Sequence, residues 1–500
     1  MSRISVRTLY KVPSYDGLPY PGFAPTESDL IIFPHNDKAF VRDGLDGAIV
    51  AQEPDLASAF SKALQHLDPD RKTKETIYIN GDFEAENIPL ESHLRVVING
   101  RLKLKSGAST LFSAVGSKDA HLTDIEIVGG HLLGDFPEVD GQRGIYAQYV
   151  DELLVHYMTL EKFYVGCYVE GVESSEDNKF IRCVHNLLID NDYGLIVKWG
   201  RYIDISNNMG HAPNPEPYSC FARLDLVQHY AVNDNVFYGA DIIILVSTSS
   251  HGRIDGNVLG GGRGGGIAVC GDNWHVGVTS NTIHDMQKEG IECRQLHYGD
   301  VSDNVLYNNG YAGLRIWNTR HTSFIGNILC DNGYALSQEH PWYAQLTLFQ
   351  ENNNPLAEGN IFAYNILINR NRLPDYQVRI SAAPEGHTWT PGKNFFYYNK
   401  FDSANLQVVY LEGDSEFKFN EGWPTENSGT ATFSGDGSKT SFTIPHGLIS
   451  APSEWYITPT SPDAAGEYYV TADDQNLTIN FKTAPPAGTD NLKFKWRAYI

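Results

Sequence analysis

Between about residues 235 and 330 the chain repeats one short pattern: a polar turn, then an apolar pair. An asparagine recurs at 235, 257, 281, 304 and 327, in steps of 22, 24, 23 and 23 residues. It stands in NDNVFYG, DGNVLGG, TSNTIHD, SDNVLYN and IGNILCD, with a branched apolar side chain within two residues each time. Four of these are followed by a second phrase: GADIIILV, GGGIAVCG, EGIECRQL and YAGLRIWN. Inside it apolar and polar positions alternate, as in Ile291, Glu292, Cys293, Arg294 and in Leu314, Arg315, Ile316, Trp317. Alternation at period two sends one set of side chains inward and the other outward from a strand. A repeat in the low twenties made of short strands predicts a solenoid, with each backbone turn stacked on the last.

Leucine-rich repeats share the period but want a leucine framework with a helical segment. Propeller blades need roughly 40 residues or more, so the period excludes them. The recurring asparagine suits a turn, because it tolerates left-handed backbone and can hydrogen-bond its counterpart in the next coil. Asn186 and Asn208 extend this ladder downward, and Asn360 and Asn399 are expected to mark the last coils. Loops are expected where the spacing stretches: after Asn208, at 332–358 and at 382–393.

Alternation then sorts the second strand of each coil. The inward column is Leu195/Val197, Ile267/Val269, Ile291/Cys293, Leu314/Ile316 and Leu346/Leu348. The outward set is Tyr168/Glu170, Ile196/Lys198, Ile244/Val246, Ala268/Cys270, Glu292/Arg294, Arg315/Trp317 and Thr347/Phe349. Neighbouring coils lie about 4.8 Å apart, so Glu292, Arg294, Arg315 and Trp317 should form one surface patch.

Outside the repeat the pattern changes twice. Residues 54–67 place Leu56, Phe60, Leu64 and Leu67 on one helical face, with Pro54 at the first turn. A helix there would cover the open end of the solenoid. Residues 1–50 read as an arm or small module, 51–411 as the solenoid with its capping helix, and 412–429 as a polar linker. Residues 430–500 alternate in short runs between turn residues and read as a small β-sandwich.

These repeats resemble those of right-handed parallel β-helix proteins: pectate-lyase-like enzymes, polysaccharide lyases, epimerases and hydrolases, and phage tailspikes. The resemblance covers roughly Thr76 to Tyr410. It implies an all-β chain: a right-handed parallel β-helix with an N-terminal capping helix and a small C-terminal β-sandwich. It implies a polysaccharide partner and, from the tailspikes, a homotrimer. It leaves the reaction open, because one architecture hosts many chemistries.

Charge narrows the partners. A net charge of −23 argues against non-specific coating of nucleic acid or an anionic membrane. No apolar run is long enough to span a bilayer. The six cysteines form no CxxC and read as free thiols. The opening residues MSRISVRTLYKVPSYDG carry no apolar signal core. The expected setting is a virion or release by lysis, otherwise the cytoplasm.

Candidate chemistry lies in the turn before each ladder strand. His251, His275 and His321 precede their ladder asparagines by six residues, while His297 and Arg320 precede theirs by seven. Stacked, they would form a cationic stripe beside Asp272 and Trp274, with Arg263 in the glycine-rich run GGGRGGG. A stripe beside Arg294 and Arg315 suits an anionic, uronic-acid-containing glycan, because arginine holds a carboxylate bidentately. Trp317 would stack on a pyranose.

The reaction expected on such a substrate is β-elimination. Arg294 or Arg315 would neutralise the uronate, and His275 or His297 would remove the C5 proton. Lys198, roughly 19 Å below Glu292 by strand spacing, is expected to pair with Glu170 instead. Calcium is the one ion considered, through Glu292 and Asp272; no protein metal ligands are assigned. Hydrolysis is the alternative. It needs two carboxyl groups about 5–5.5 Å or 6.5–9.5 Å apart, for which Asp272 and Glu292 are the candidates. Uronan epimerisation and non-catalytic glycan binding by a spike or adhesin complete the set.

Overall fold

The structure, a computed structural model, describes residues 29–172, 177–212, 219–334, 344–350, 357–370, 376–382, 390–403 and 407–500. Most of the expected loops at 332–358 and 382–393, and residues 1–28, lie outside the described residues.

The repeat folds as a right-handed parallel β-helix. Each central coil has three strands separated by corners. The first face includes Ile242–Ser247, Ile267–Cys270, Ile291–Arg294 and Leu314–Trp317. The second includes Ser250–Asp255, Asn273–Thr279, Asp300–Ser302 and Ser323–Ile325. The third is a sheet of short strands, thirteen among the described residues, stacked in chain order. Pairing is parallel and in register: Ala222, Ile244, Ile267, Ile291, Leu314, Leu346 and Val378 are successive partners. All are buried. One position departs from the expected phase. Ile244 and Val246 point inward, and Leu245 and Ser247 take the outward places.

The corner between the second and third faces carries the asparagine ladder. Side-chain amides link Asn257 to Asn281 (2.9 Å), Asn281 to Asn304 (3.0 Å) and Asn304 to Asn327 (2.9 Å). Each amide also donates to a backbone carbonyl, Asn281 to that of Ile254 at 2.9 Å. Above Asn327 the rung is Asn365, then Asn399 and Asn420. Asn360, expected in this ladder, instead donates to Asn394 at 2.8 Å, one corner earlier. The long excursion after Asn327 displaces the count, so the rung falls on Asn365 and not on Asn360. Inside, Phe324, Phe362, Phe396 and Phe417 stack at centroid distances of 4.7, 4.3 and 4.5 Å.

Helix Leu56–His66 lays Leu56, Ala59, Phe60, Ala63 and Leu64 into the same core as Ile77 and Leu102. Its N-cap is Asp55, which accepts from the Ser58 backbone N–H at 2.9 Å, so Pro54 precedes the cap. Strand Leu30–His35 pairs with Glu75–Asn80 and so joins the first coil. At the other end, stretch 412–429 holds strand Ser415–Lys418, paired with Asn394–Tyr397, and the start of strand Glu426–Gly435. Beyond it two three-stranded antiparallel sheets enclose a separate core of Phe442, Ile444, Leu477, Ile479, Phe481, Leu492, Phe494 and Trp496. No described helix is long and apolar enough to cross a membrane.

Candidate functional site

The first face carries the charged patch. Glu292, Arg315, Thr347 and Arg379 are successive partners in one outward column, and Arg294, Trp317 and Phe349 in the next. Arg315 Nη1 lies against Glu289 and 3.8 Å from Glu292. Glu289 was not among the sequence candidates. It sits at the turn before the strand, where alternation says nothing, yet its side chain is 5 % exposed. Burial pushes the Glu292 carboxyl above its usual range, against the pull of Arg315, and the Glu289 charge pushes the same way. One guanidinium nitrogen is within ion-pair reach of both carboxyl groups, so the two are close neighbours.

Trp317 is not the open platform its outward register suggested. It is 8 % exposed, and the Arg315 and Arg294 guanidiniums lie 4.5 and 5.4 Å from its ring centroid. Its ring is engaged by arginines and little of it faces solvent.

Around the next corner the histidine stripe exists, with one change of member. His229, His251, His275, Tyr298 and His321 stack at centroid distances of 5.1, 5.3, 5.8 and 5.2 Å. All have positive φ, between 50° and 55°. Each ring shields its neighbour in a backbone conformation side chains rarely adopt. Tyr298 lies six residues before Asn304, so a strict offset would have selected it.

His297 belongs to the adjacent column, with Trp274 and Arg320. Arg320 Nε donates to His297 Nδ1 at 3.2 Å. The ring proton therefore sits on Nε2, which faces Asp272 Oδ1 at 3.1 Å. Burial, then the Arg320 charge, hold this imidazole below its usual value. With both nitrogens engaged and 3 % side-chain exposure, His297 is placed to orient Asp272 rather than to take a substrate proton.

The remaining candidates separate. Asp272 follows the end of strand Ile267–Cys270, whereas Glu292 faces Ala268 inside it. The chain turns at Gly271 between them, so Asp272 and Glu292 stand on different parts of the coil, the corner and the first face. Arg263 is exposed in the turn before that strand, at the opposite end from Asp272. The Lys198 ammonium lies 5.5 Å from the Tyr168 ring centroid, while Glu170 accepts from Tyr146 and Tyr168 hydroxyls. Among the described residues no group of three His, Cys, Asp or Glu side chains is arranged to hold a metal ion.

Comparison with known proteins identifies the architecture. A family model described as "Right handed beta helix region" matches residues 224–366. No curated protein sequence matches the chain. The fold matches a mutant tailspike protein of E. coli bacteriophage HK620 in complex with a hexasaccharide. There the identity is 12 %, the match covers 91 % of this chain and 92 % of that one, and the TM-score is 0.55. A second mutant of that tailspike, in complex with a pentasaccharide, matches at 11 % identity over the same shares, with a TM-score of 0.52. The A-module of Azotobacter vinelandii mannuronan C-5 epimerase AlgE6 matches at 14 % identity over 74 % of this chain and 94 % of that one, at 0.49. At these identities the likeness is one of fold.

Proposed function

We propose that this chain is a polysaccharide depolymerase that hydrolyses an anionic glycan on the first face of its β-helix. The observation that carries the reading is Glu292, a buried carboxyl group whose pKa is raised by burial, beside the Arg315–Glu289 ion pair. Glu292 would give its proton to the glycosidic oxygen as the bond to the anomeric carbon breaks. Water would attack that carbon and lose its proton to Glu289, which Arg315 holds in place; the net change is addition of one water. Arg294 and Arg379 on the same face supply the attraction for acidic sugars. The saccharide complexes of tailspikes with this fold support a glycan as the ligand class. A virion-borne homotrimer is the setting this reading proposes.

β-Elimination is the second reading. It is favoured by Arg294 and Arg315 as carboxylate partners and by exposed His275 as base. A panel of acidic polysaccharides separates the two. New reducing ends without ultraviolet absorbance mean hydrolysis. Absorbance from a C4–C5 double bond means elimination. Binding with neither means an adhesin and removes the proposal.

A further inference from the structure

The corner between the first and second faces holds a cleft that the charged patch does not use. Its volume is about 220 Å³, and Trp199, Leu226, Gln228, Thr248, Asp272 and Trp274 line it. The cause lies in the stacking. Trp199, Leu226, Thr248 and Gly271 occupy one column of left-handed backbone, so the side chains shrink from indole to none as the coils rise. A Cβ on Gly271 would meet Thr248 Oγ1 at 2.7 Å. The space left under Trp274 is the cleft.

One wall of the cleft is held from behind. Asp272 Oδ1 accepts from Trp274 Nε1 at 2.9 Å and from His297 Nε2 at 3.1 Å. Arg320 in turn donates to His297 and lies 5.7 Å from the Trp274 ring centroid. Oδ1 is therefore occupied, while the Asp272 side chain is 64 % exposed and keeps Oδ2 for another donor. An indole fixed at its N–H, next to a carboxylate oxygen and the Gln228 amide, offers a stacking face and hydrogen-bond acceptors. The lining contains no cation.

We infer that this cleft is a subsite for a neutral, hydroxyl-rich pyranose unit of the glycan, stacked on Trp274 and hydrogen-bonded to Asp272. The inference rests on the glycan reading above. It assigns neutral units to the corner and acidic units to the arginines of the first face. Arg294 stands beside Cys270 at the end of the first-face strand and Asp272 follows it by two residues, so one chain can occupy both. His297 and Arg320 are positioning residues here, because they act through Asp272 and Trp274.

The test uses the full chain on a printed array of neutral and acidic oligosaccharides, with Trp274→Ala, Asp272→Asn, Arg315→Ala and Glu292→Gln. Wild type and Glu292→Gln should hold the same glycans. Trp274→Ala and Asp272→Asn should weaken that binding at least tenfold, raising KM on polymer while kcat moves less than twofold. Hydroxyl-radical footprinting of wild type should show Trp274 and Trp199 protected by the best array ligand, which does not depend on any variant folding. Arg320→Lys should restore binding better than Arg320→Ala, a graded rescue that a purely structural role would not produce. Binding lost in Arg315→Ala but intact in Trp274→Ala, with no footprint, overturns the cleft and leaves the first-face reading standing. A wild type that binds nothing on the array overturns both.

Discussion

The asparagine corner and the first face obey the same stacking rule and end in opposite states. At the corner each amide gives its protons to the next asparagine and to a carbonyl, and its oxygen takes two donors; the rungs from 257 to 327 are fully buried. On the first face, Trp317 Nε1, Thr347 Oγ1 and Arg379 Nε are buried with no hydrogen-bond partner among the described residues. A saturated polar column stabilises and repeats its residue type. An unsaturated one costs stability and changes type from coil to coil, as Ala268, Glu292, Arg315 and Thr347 do. Within one solenoid, repetition therefore marks structure, and its breakdown marks a surface open to other uses.

The sharpest way to break this contrast is Asn281→Ala. It removes the acceptor of one Asn257 amide proton and of the Asn257 backbone N–H, and the amide that donates to the Ile254 carbonyl. At about 1–3 kcal/mol for each of these three buried groups, the loss should be roughly 3–9 kcal/mol in urea denaturation. Activity per folded molecule should hold. A loss under about 1 kcal/mol would make the ladder incidental. Glu292→Gln should do the reverse, lowering turnover by roughly 10²–10⁴-fold with no loss of thermal stability. Wild-type turnover in that variant would remove Glu292 as the acid.

The pH profile sharpens the same point. Glu292 must be protonated to act, and its folded pKa is raised. The alkaline limb of kcat/KM should therefore lie above the ordinary carboxylate range and vanish in Glu292→Gln. Its stability linkage has the same sign. The contribution is full below the unfolded pKa and is lost as pH rises through the folded one. The smallest effect is expected at the ring stripe. His275→Ala should change stability by less than about 1 kcal/mol and turnover by less than twofold, because the side chain is exposed and its ring contacts are to His251, Tyr298 and the edge of Trp274. A tenfold fall in turnover would instead favour elimination with His275 as base.

Much of this was readable before the structure, and the misreadings have physical causes. The run Ile242–Ser247 is apolar on both sides, so nothing in it marks the phase and Ile244/Val246 were turned outward. His297 was grouped with the stripe because an offset of seven looks like six when turns vary by a residue. The true member, Tyr298, is not basic, so a pattern of cationic residues does not include it. Glu289 lies outside the alternating strand, and Trp317 reads as exposed until two guanidiniums are seen on it.

What the chain alone determined is its periodicity. Coils near 23 residues, strands at period two and an asparagine at each turn leave a stacked parallel solenoid as the way to bury the apolar set, with a helix at one end and a sandwich beyond the other. Which polar groups meet was decided only in three dimensions. A carboxylate's partner depends on side-chain reach across coils and on burial: Arg315 chose Glu289, and His297 was locked between Arg320 and Asp272. Electrostatic energy changes steeply over a few ångströms and with water exclusion, and neither quantity is encoded by spacing along the chain.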